Sequence, residues 1–337
     1  MTQFGLFDYH KRLSRIDKAG DPLIELNKVV DWEQFRVLIN RALEKPRKSP
    51  AGAKGYDPIL LFKILILQSL YNLSDEAMEY QILDRYSFSR FLGIREGSKV
   101  PDATTIFRFR DELAKAGVVE LLFTQFDQFL REHGFRAQKG QIVDASIIRV
   151  PTQRNSREEN EDIKAGTPIT SWDEPKRRQK DTDARWTKKN GKAFFGYKNH
   201  VSIDVGHKFI RSYEVTDASV HDSQVFTELL DPENTSNDVW ADSAYRSEES
   251  LQELAQQGFQ EHLQLKGNRH RKLTDEERQA NRTRSKIRSR VEHVFGVMAM
   301  RTGSTLMRGI GMVRIRAKIG LRNLAYNVSR FALLATA

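Results

Sequence analysis

Two short apolar runs in this chain each carry an acid where a buried strand has little use for one. Gln141-Ile-Val-Asp-Ala-Ser-Ile-Ile148 is rich in β-branched residues and holds Asp144 among apolar neighbours. A carboxylate removed from water is costly unless it faces a partner, a metal or the strand's end. Asn237-Asp-Val-Trp-Ala-Asp-Ser-Ala-Tyr245 repeats the pattern, a short apolar strand ending in Asp242 and then small residues. A third acid, Glu292, lies among Arg284, Lys286, Arg288 and Arg290. Around it Ile287, Val291, Val294, Phe295 and Met298 recur at three- and four-residue steps, the spacing of one buried helix face. Taken alone, Arg288 and Glu292 are an ordinary i,i+4 pair in the weaker order, contributing about 0.3 kcal/mol.

Two strand acids and one helix acid suit a site for hard divalent cations, because Mg²⁺ and Mn²⁺ prefer oxygen ligands. A pair of such ions activates a water or a 3′-hydroxyl on one side of a phosphodiester and stabilises the leaving oxygen on the other. Nearby Arg and Lys would hold the scissile strand. Spacing alone does not establish that the three acids converge.

Composition narrows the partners. The 337 residues include no cysteine, which excludes disulfides, thiolate metal sites and Cys nucleophiles. The first twenty residues lack the apolar core of a signal peptide. The most apolar run, Pro58 to Leu73, is too short for a membrane span. A soluble, cytoplasmic protein with no membrane partner is therefore expected. The net charge of +10 is unevenly spread: from His293 to Ala337 there is no Asp or Glu, against seven Arg and Lys. Such asymmetry favours a polyanion, nucleic acid above an anionic membrane.

Residues 1–135 read as helical. Trp32, Phe35, Leu38 and Ile39 keep helical spacing, and Lys45 to Gly55 reads as a basic linker. Asp57-Pro58 is an N-cap followed by Pro at the first helical position of an apolar helix. Further helices are expected at Asp75–Leu83, Tyr86–Leu92, from Pro101 and at Val118–His133. A helix-turn-helix-like arrangement is equally compatible with a scaffold that touches no DNA. Arg108 and Arg110 are expected on an exposed face, as phosphate contacts or as solvated charges.

The remainder, 136–337, alternates strands and helices. Pro151 to Lys192 is polar, lacks apolar periodicity and is expected as an extended, partly disordered insertion. Phe194–Asp204 and Phe209–Val215 form a hairpin beside the first strand. Thr216 to Gln224 caps a helix running to Leu230, and Gln260–Lys266 is a short strand. Thr274-Asp-Glu-Glu277 is a capping box for the helix carrying Glu292, and Met312–Leu334 is a basic amphipathic helix.

The chain resembles IS5-family insertion-sequence transposases, within the DDE superfamily with its RNase H-like core. The resemblance rests on Tyr71-Asn-Leu-Ser-Asp-Glu-Ala-Met78 and Pro101-Asp-Ala-Thr-Thr-Ile-Phe-Arg-Phe-Arg110. In the second half it rests on Val143-Asp-Ala-Ser146, Phe195-Gly-Tyr-Lys198, His221-Asp222, Ala241-Asp-Ser-Ala-Tyr245 and Arg290-Val-Glu-His-Val-Phe295. It implies an α/β fold with a mixed-sheet RNase H-like catalytic domain, an N-terminal helical domain for DNA binding or oligomerisation, and a basic insertion at 151–192. It also implies Asp144, Asp242 and Glu292 as catalytic metal ligands for Mg²⁺ or Mn²⁺. In the group's Tyr, Arg, Glu, Lys signature, Arg288 and Glu292 fit, while Ser285 and Ala299 stand at the Tyr and Lys positions; Arg301 is the nearest substitute.

The implied activity is binding of terminal inverted repeats in double-stranded DNA, cleavage at the ends and joining of the 3′-hydroxyls to target DNA. A homodimer or larger synaptic assembly is implied with it. Candidate DNA contacts are Arg284, Lys286, Arg288, Arg290, Tyr245, Arg246, Lys198, Arg108 and Arg110. The alternatives are a metal-dependent nuclease of the same fold and a DNA-binding regulator without catalysis.

Overall fold

The computed structural model describes residues 8–44, 55–95, 97–189, 191–267, 271–302 and 306–336. The chain divides into two compact units, Met1–Gln125 with Leu321–Ala337, and Phe126–Gly320. This differs from a break at 135/136: residues 126–135 belong with the strands, and the last seventeen residues with the N-terminal helices. The expected linker lies almost wholly outside the described residues.

The first unit is helical. It holds α1 (Asp8–Ala19), α2 (Pro22–Val29), α3 (Arg36–Leu43), α4 (Pro58–Tyr71), α5 (Asp75–Asp84), α6 (Tyr86–Leu92), α7 (Ala103–Lys115) and most of α8 (Val118–Glu132). Helix α4 starts where expected: the Asp57 carboxylate accepts from Ile59 N–H and Pro58 occupies the first turn, where its missing donor costs nothing. It ends at Asn72 in the left-handed conformation (φ 50°), and the Ser74 hydroxyl then caps α5. Apolar nearly all round, α4 is the buried axis of the unit, with Phe62 packed against Phe35 and Trp32. Phe91 meets Trp32 edge-on.

The second unit is built on a mixed sheet. Its strands are β1 (Gln141–Arg149), β2 (Arg185–Lys189), β3 (Lys192–Asp204), β4 (Ile210–Asp217), β5 (Asp238–Trp240) and β6 (Gln260–Glu261). The order is β2-β3-β1-β5-β6, with β4 also paired to β3. Strand β3 runs antiparallel to β1, β2 and β4, whereas β5 is parallel to β1 and to β6. The expected hairpin therefore lies beside β1, which is flanked on both sides.

Between β1 and β2 the insertion is folded. It contains α9 (Arg157–Ala165), opened by a Ser156/Glu159 capping box, and α10 (Glu174–Gln179), capped by Asp173. Trp172 is buried and donates its indole N–H to Glu159, which also pairs with Lys176. Caps and one aromatic anchor stand in for an apolar face, so the expectation of an unstructured loop is corrected.

Side chains alternate across β1. Val143 joins a core with Val225, Phe226, Leu229, Val239 and Leu254, the last from α11 (Glu248–Gln256). Ile148 joins the other core, with Tyr197, Val215, Ile315 and Ile319. The segment expected as a helix to Leu230 is two 3-10 turns, Asp222–Val225 and Thr227–Leu229. The expected strand to Lys266 shortens to β6.

Helix α12 (Asp275–Thr302) opens on the expected capping box: Thr274 Oγ1 accepts from Glu277 N–H, and the Glu277 carboxylate accepts from Thr274 N–H. Helix α13 (Met312–Ala335) is not a surface amphipathic helix, because 321–328 are buried all round, Arg322 and Asn323 included. Burial pushes the Arg322 guanidinium down to about 10. Of the described residues, no helix is long and apolar enough to cross a membrane.

Gly196 on β3 has φ +151°, and a Cβ there would lie 2.1 Å from the Ile148 carbonyl oxygen of β1. Gly196→Ala should therefore lower stability by about 2 kcal/mol or more, read as a lower urea midpoint of the full chain.

Candidate active site

Asp144 points to the α12 side of the sheet because it has the parity of Ile148, opposite to Val143. Strand β5 stops at Trp240, and two residues on Asp242 caps the turn Ser243–Tyr245, its Oδ1 accepting from Ala244 N–H. Since β5 runs parallel to β1, both acids emerge at neighbouring points of the sheet, and the Asp242 charge is felt at Asp144. Asp144 lies within β1, and only Asp242 follows the end of its strand.

Helix α12 is docked over them by polar contacts. Asn281 accepts from Leu265 N–H and donates to Leu265 C=O. Gln264 donates to Ser285 at 2.6 Å, and Arg284 donates to the Leu263 carbonyl. Val291, Val294 and Met298 are buried, whereas Ile287 and Phe295 are half-buried. This docking brings Arg288 onto Asp144: Nη1 donates to Asp144 Oδ2 at 2.7 Å, and Nη2 donates to Glu292 Oε1 at 2.9 Å. One guanidinium therefore links the strand acid to the helix acid. The i,i+4 pair read from sequence is present, but it is half of a three-residue bridge.

Burial pushes the Asp144 carboxyl up to about 6, against the pull of Arg288, with Asp242 adding to the rise. The Tyr245 phenol is buried without a partner and held well above its usual range, first by burial and then by Asp144, Asp222 and Asp242. The site therefore gathers negative charge that Arg288 answers by direct contact, with Lys189 felt at Asp144 more weakly. Among the described residues, no three His, Asp or Glu side chains form a ready cation cage. The donors are nonetheless carboxylate oxygens, and those of Asp144 and Glu292 face a cation already, which suits a hard divalent ion in chemistry and sign.

The other expected contacts are distributed unevenly. Lys286 and Arg108 are exposed. Arg290 donates to the Val205 carbonyl, and Arg246 pairs with Glu261. Lys198 is largely buried on the opposite face of the sheet, bonded to Asp222 and the Val220 carbonyl. Tyr245 is fully buried, so it offers no surface to DNA, and its place in that group is corrected. So is that of Arg110, which is buried and forms a two-pronged pair with Asp75 plus a bond to Gln68. Helical spacing put Arg108 and Arg110 near one another but could not say which of them turns inward. The side chain of Arg301 lies outside the described residues.

Arg278 and Arg282, which the sequence reading did not single out, line an open cleft with Leu273, Asn281, Ser285 and Lys286, and Arg278 also makes an exposed pair with Asp275. Their four-residue steps to Lys286 were the available signal, since that spacing puts all three on one helical stripe.

A family model described as "Transposase DDE domain" matches residues 136–328, and one described as "Transposase domain (DUF772)" matches 10–112. The chain belongs to the transposase DDE-domain family, and its mixed α/β core is RNase H-like. Among solved structures, the cryo-EM structure of a piggyBac transposase synaptic complex with hairpin DNA aligns at a TM-score of 0.47 with 12% identity, over 94% of this chain and 75% of that chain.

A carboxyl ¹³C titration of the metal-free protein should show one Asp with a midpoint near pH 6, moved higher still in Arg288→Met. Because the folded value is raised, ionising Asp144 costs stability as pH climbs from about 4 through 6, and a cation competes for the carboxylate best above that window. Arg110→Ala should destabilise the fold by about 3 kcal/mol in chemical denaturation by removing the cation that faces the largely buried Asp75, instead of merely weakening DNA binding.

Proposed function

We propose that this protein is a DNA transposase of an IS5-type insertion sequence, cleaving DNA at the element's ends and joining the freed 3′-hydroxyls to target DNA. The observation that carries the proposal is the Asp144–Arg288–Glu292 bridge beside Asp242, in a chain of the transposase DDE-domain family. Asp144, Asp242 and Glu292 are the residues to hold Mg²⁺, or Mn²⁺ in its place. When bound, the ions supply an acidified water or hydroxyl and charge stabilisation at the leaving oxygen.

The chain's own residues do the rest. Strand β1, paired on both sides, carries Asp144, and the turn that follows β5 carries Asp242. The docked helix α12 carries the third at its exposed surface, where the Glu292 side chain is 60% accessible. Lys286, with Arg278 and Arg282 on the same stripe, offers exposed cations for backbone phosphates. The first unit serves end recognition, with Arg108 as an exposed cation on α7. A synaptic assembly of two or more copies is the working form.

A strand-transfer assay with labelled element ends and Mg²⁺ tests the proposal. Joined products support it, cleavage without joining indicates a nuclease, and binding alone indicates a regulator. Asp144→Asn, Asp242→Asn and Glu292→Gln should each lower cleavage and joining by at least about a thousandfold while leaving end binding intact. Cleavage retained in Glu292→Gln removes that residue from the triad.

A further inference from the structure

We propose that Arg288 is a built-in stand-in cation: a divalent metal must displace it from Asp144 and Glu292, and the displaced guanidinium then takes a DNA phosphate. Metal and DNA consequently bind this site cooperatively. The inference rests on Asp144, Asp242 and Glu292 being the metal ligands.

The geometry that points to it is the division of one guanidinium between two acids from different elements. Nη1 takes Asp144 Oδ2 at 2.7 Å and Nη2 takes Glu292 Oε1 at 2.9 Å. One oxygen of Asp144 and one of Glu292, two of the three proposed ligands, are thus already engaged by a positive charge. A guanidinium and a divalent ion cannot share them without mutual repulsion in a poorly solvated site, where the Asp144 side chain is 13% exposed. The Arg288 Nε is buried without a hydrogen-bond partner, so the bridge leaves part of the fork unsatisfied. A planar fork with a spare donor is well suited to a tetrahedral phosphate. Arg288 is anchored one helical turn before Glu292, and Glu292 is open to solvent, so a displaced guanidinium stays beside the site on the side where a strand can approach. Without DNA, moving it breaks two charge-assisted hydrogen bonds with no anion to replace them, which weakens metal binding. With DNA, a phosphate replaces the carboxylates. Linkage makes the coupling reciprocal.

The test is isothermal titration of Mn²⁺ into the full chain, with and without a short DNA duplex of mixed sequence, for the wild type, Arg288→Met and Arg288→Gln. Thermal melts establish that each variant is folded. In the wild type the duplex should tighten Mn²⁺ by about fivefold or more, the lower end of typical coupling. In both variants Mn²⁺ should bind more tightly than in the wild type when DNA is absent, and the effect of the duplex should shrink toward none. Equal or weaker Mn²⁺ binding by the folded variants without DNA overturns the proposal and makes Arg288 a permanent clamp. Absence of coupling in the wild type overturns it whether or not the variants fold. Asp144→Asn separates the two levels: if it binds Mn²⁺ like the wild type, the metal assignment falls and the stand-in with it. If it loses Mn²⁺ while wild-type coupling is absent, only the stand-in falls.

Discussion

Asp144 is a carboxylate on a strand flanked by neighbours on both sides, and the arrangement of the site follows from answering its charge. A buried acid is tolerated only with a partner or a proton. Here the partner is Arg288, delivered by α12, and the raised proton affinity of Asp144 shows that burial outweighs the pairing. The sheet puts Asp242 nearby and adds to the load. Remove the docking of α12 through Asn281, Gln264 and Arg284, and the acids lose their counter-charge together.

That docking also changes what the Arg288–Glu292 pair is. As an exposed i,i+4 pair it would be a few tenths of a kcal/mol of helix stability. Tied to Asp144, it becomes the link between the sheet and α12 at the place where the family's chemistry is expected. Ser285 shows the same effect of context. In sequence it is a departure from a motif, whereas in the fold it accepts a hydrogen bond from Gln264 and helps seat the helix. A tyrosine there would have to displace that contact.

The ion pairs elsewhere divide by burial. Arg110–Asp75 locks α7 to α5, and Arg211 gathers Asp204 and Asp127 in the interior of the second unit. These cations are committed to structure. On the outer stripe of α12 Arg282 and Lys286 are exposed and Arg278 makes only a solvent-exposed pair with Asp275, so the accessible fraction of the net charge is smaller than composition suggests.

Much was legible without coordinates wherever the signal was local. Caps at Asp57 and Thr274, the hairpin after Phe194, an acid within β1 and another just past β5, and the helical face around Val291 depend on neighbours within a few residues, and the structure shows each of them. The folded insertion escaped notice because caps and one tryptophan replace apolar periodicity, and α13 because its burial comes from packing that its own sequence does not encode. Tyr245 and Arg110 looked available for contact because residue type says nothing about which side chains end up inside. The sequence by itself determined the elements that carry local caps or periodicity, and it singled out three acids as candidates. Only the tertiary structure decided that Arg288 joins two of them, because residues 144 positions apart meet through sheet pairing and helix docking, which no local pattern records.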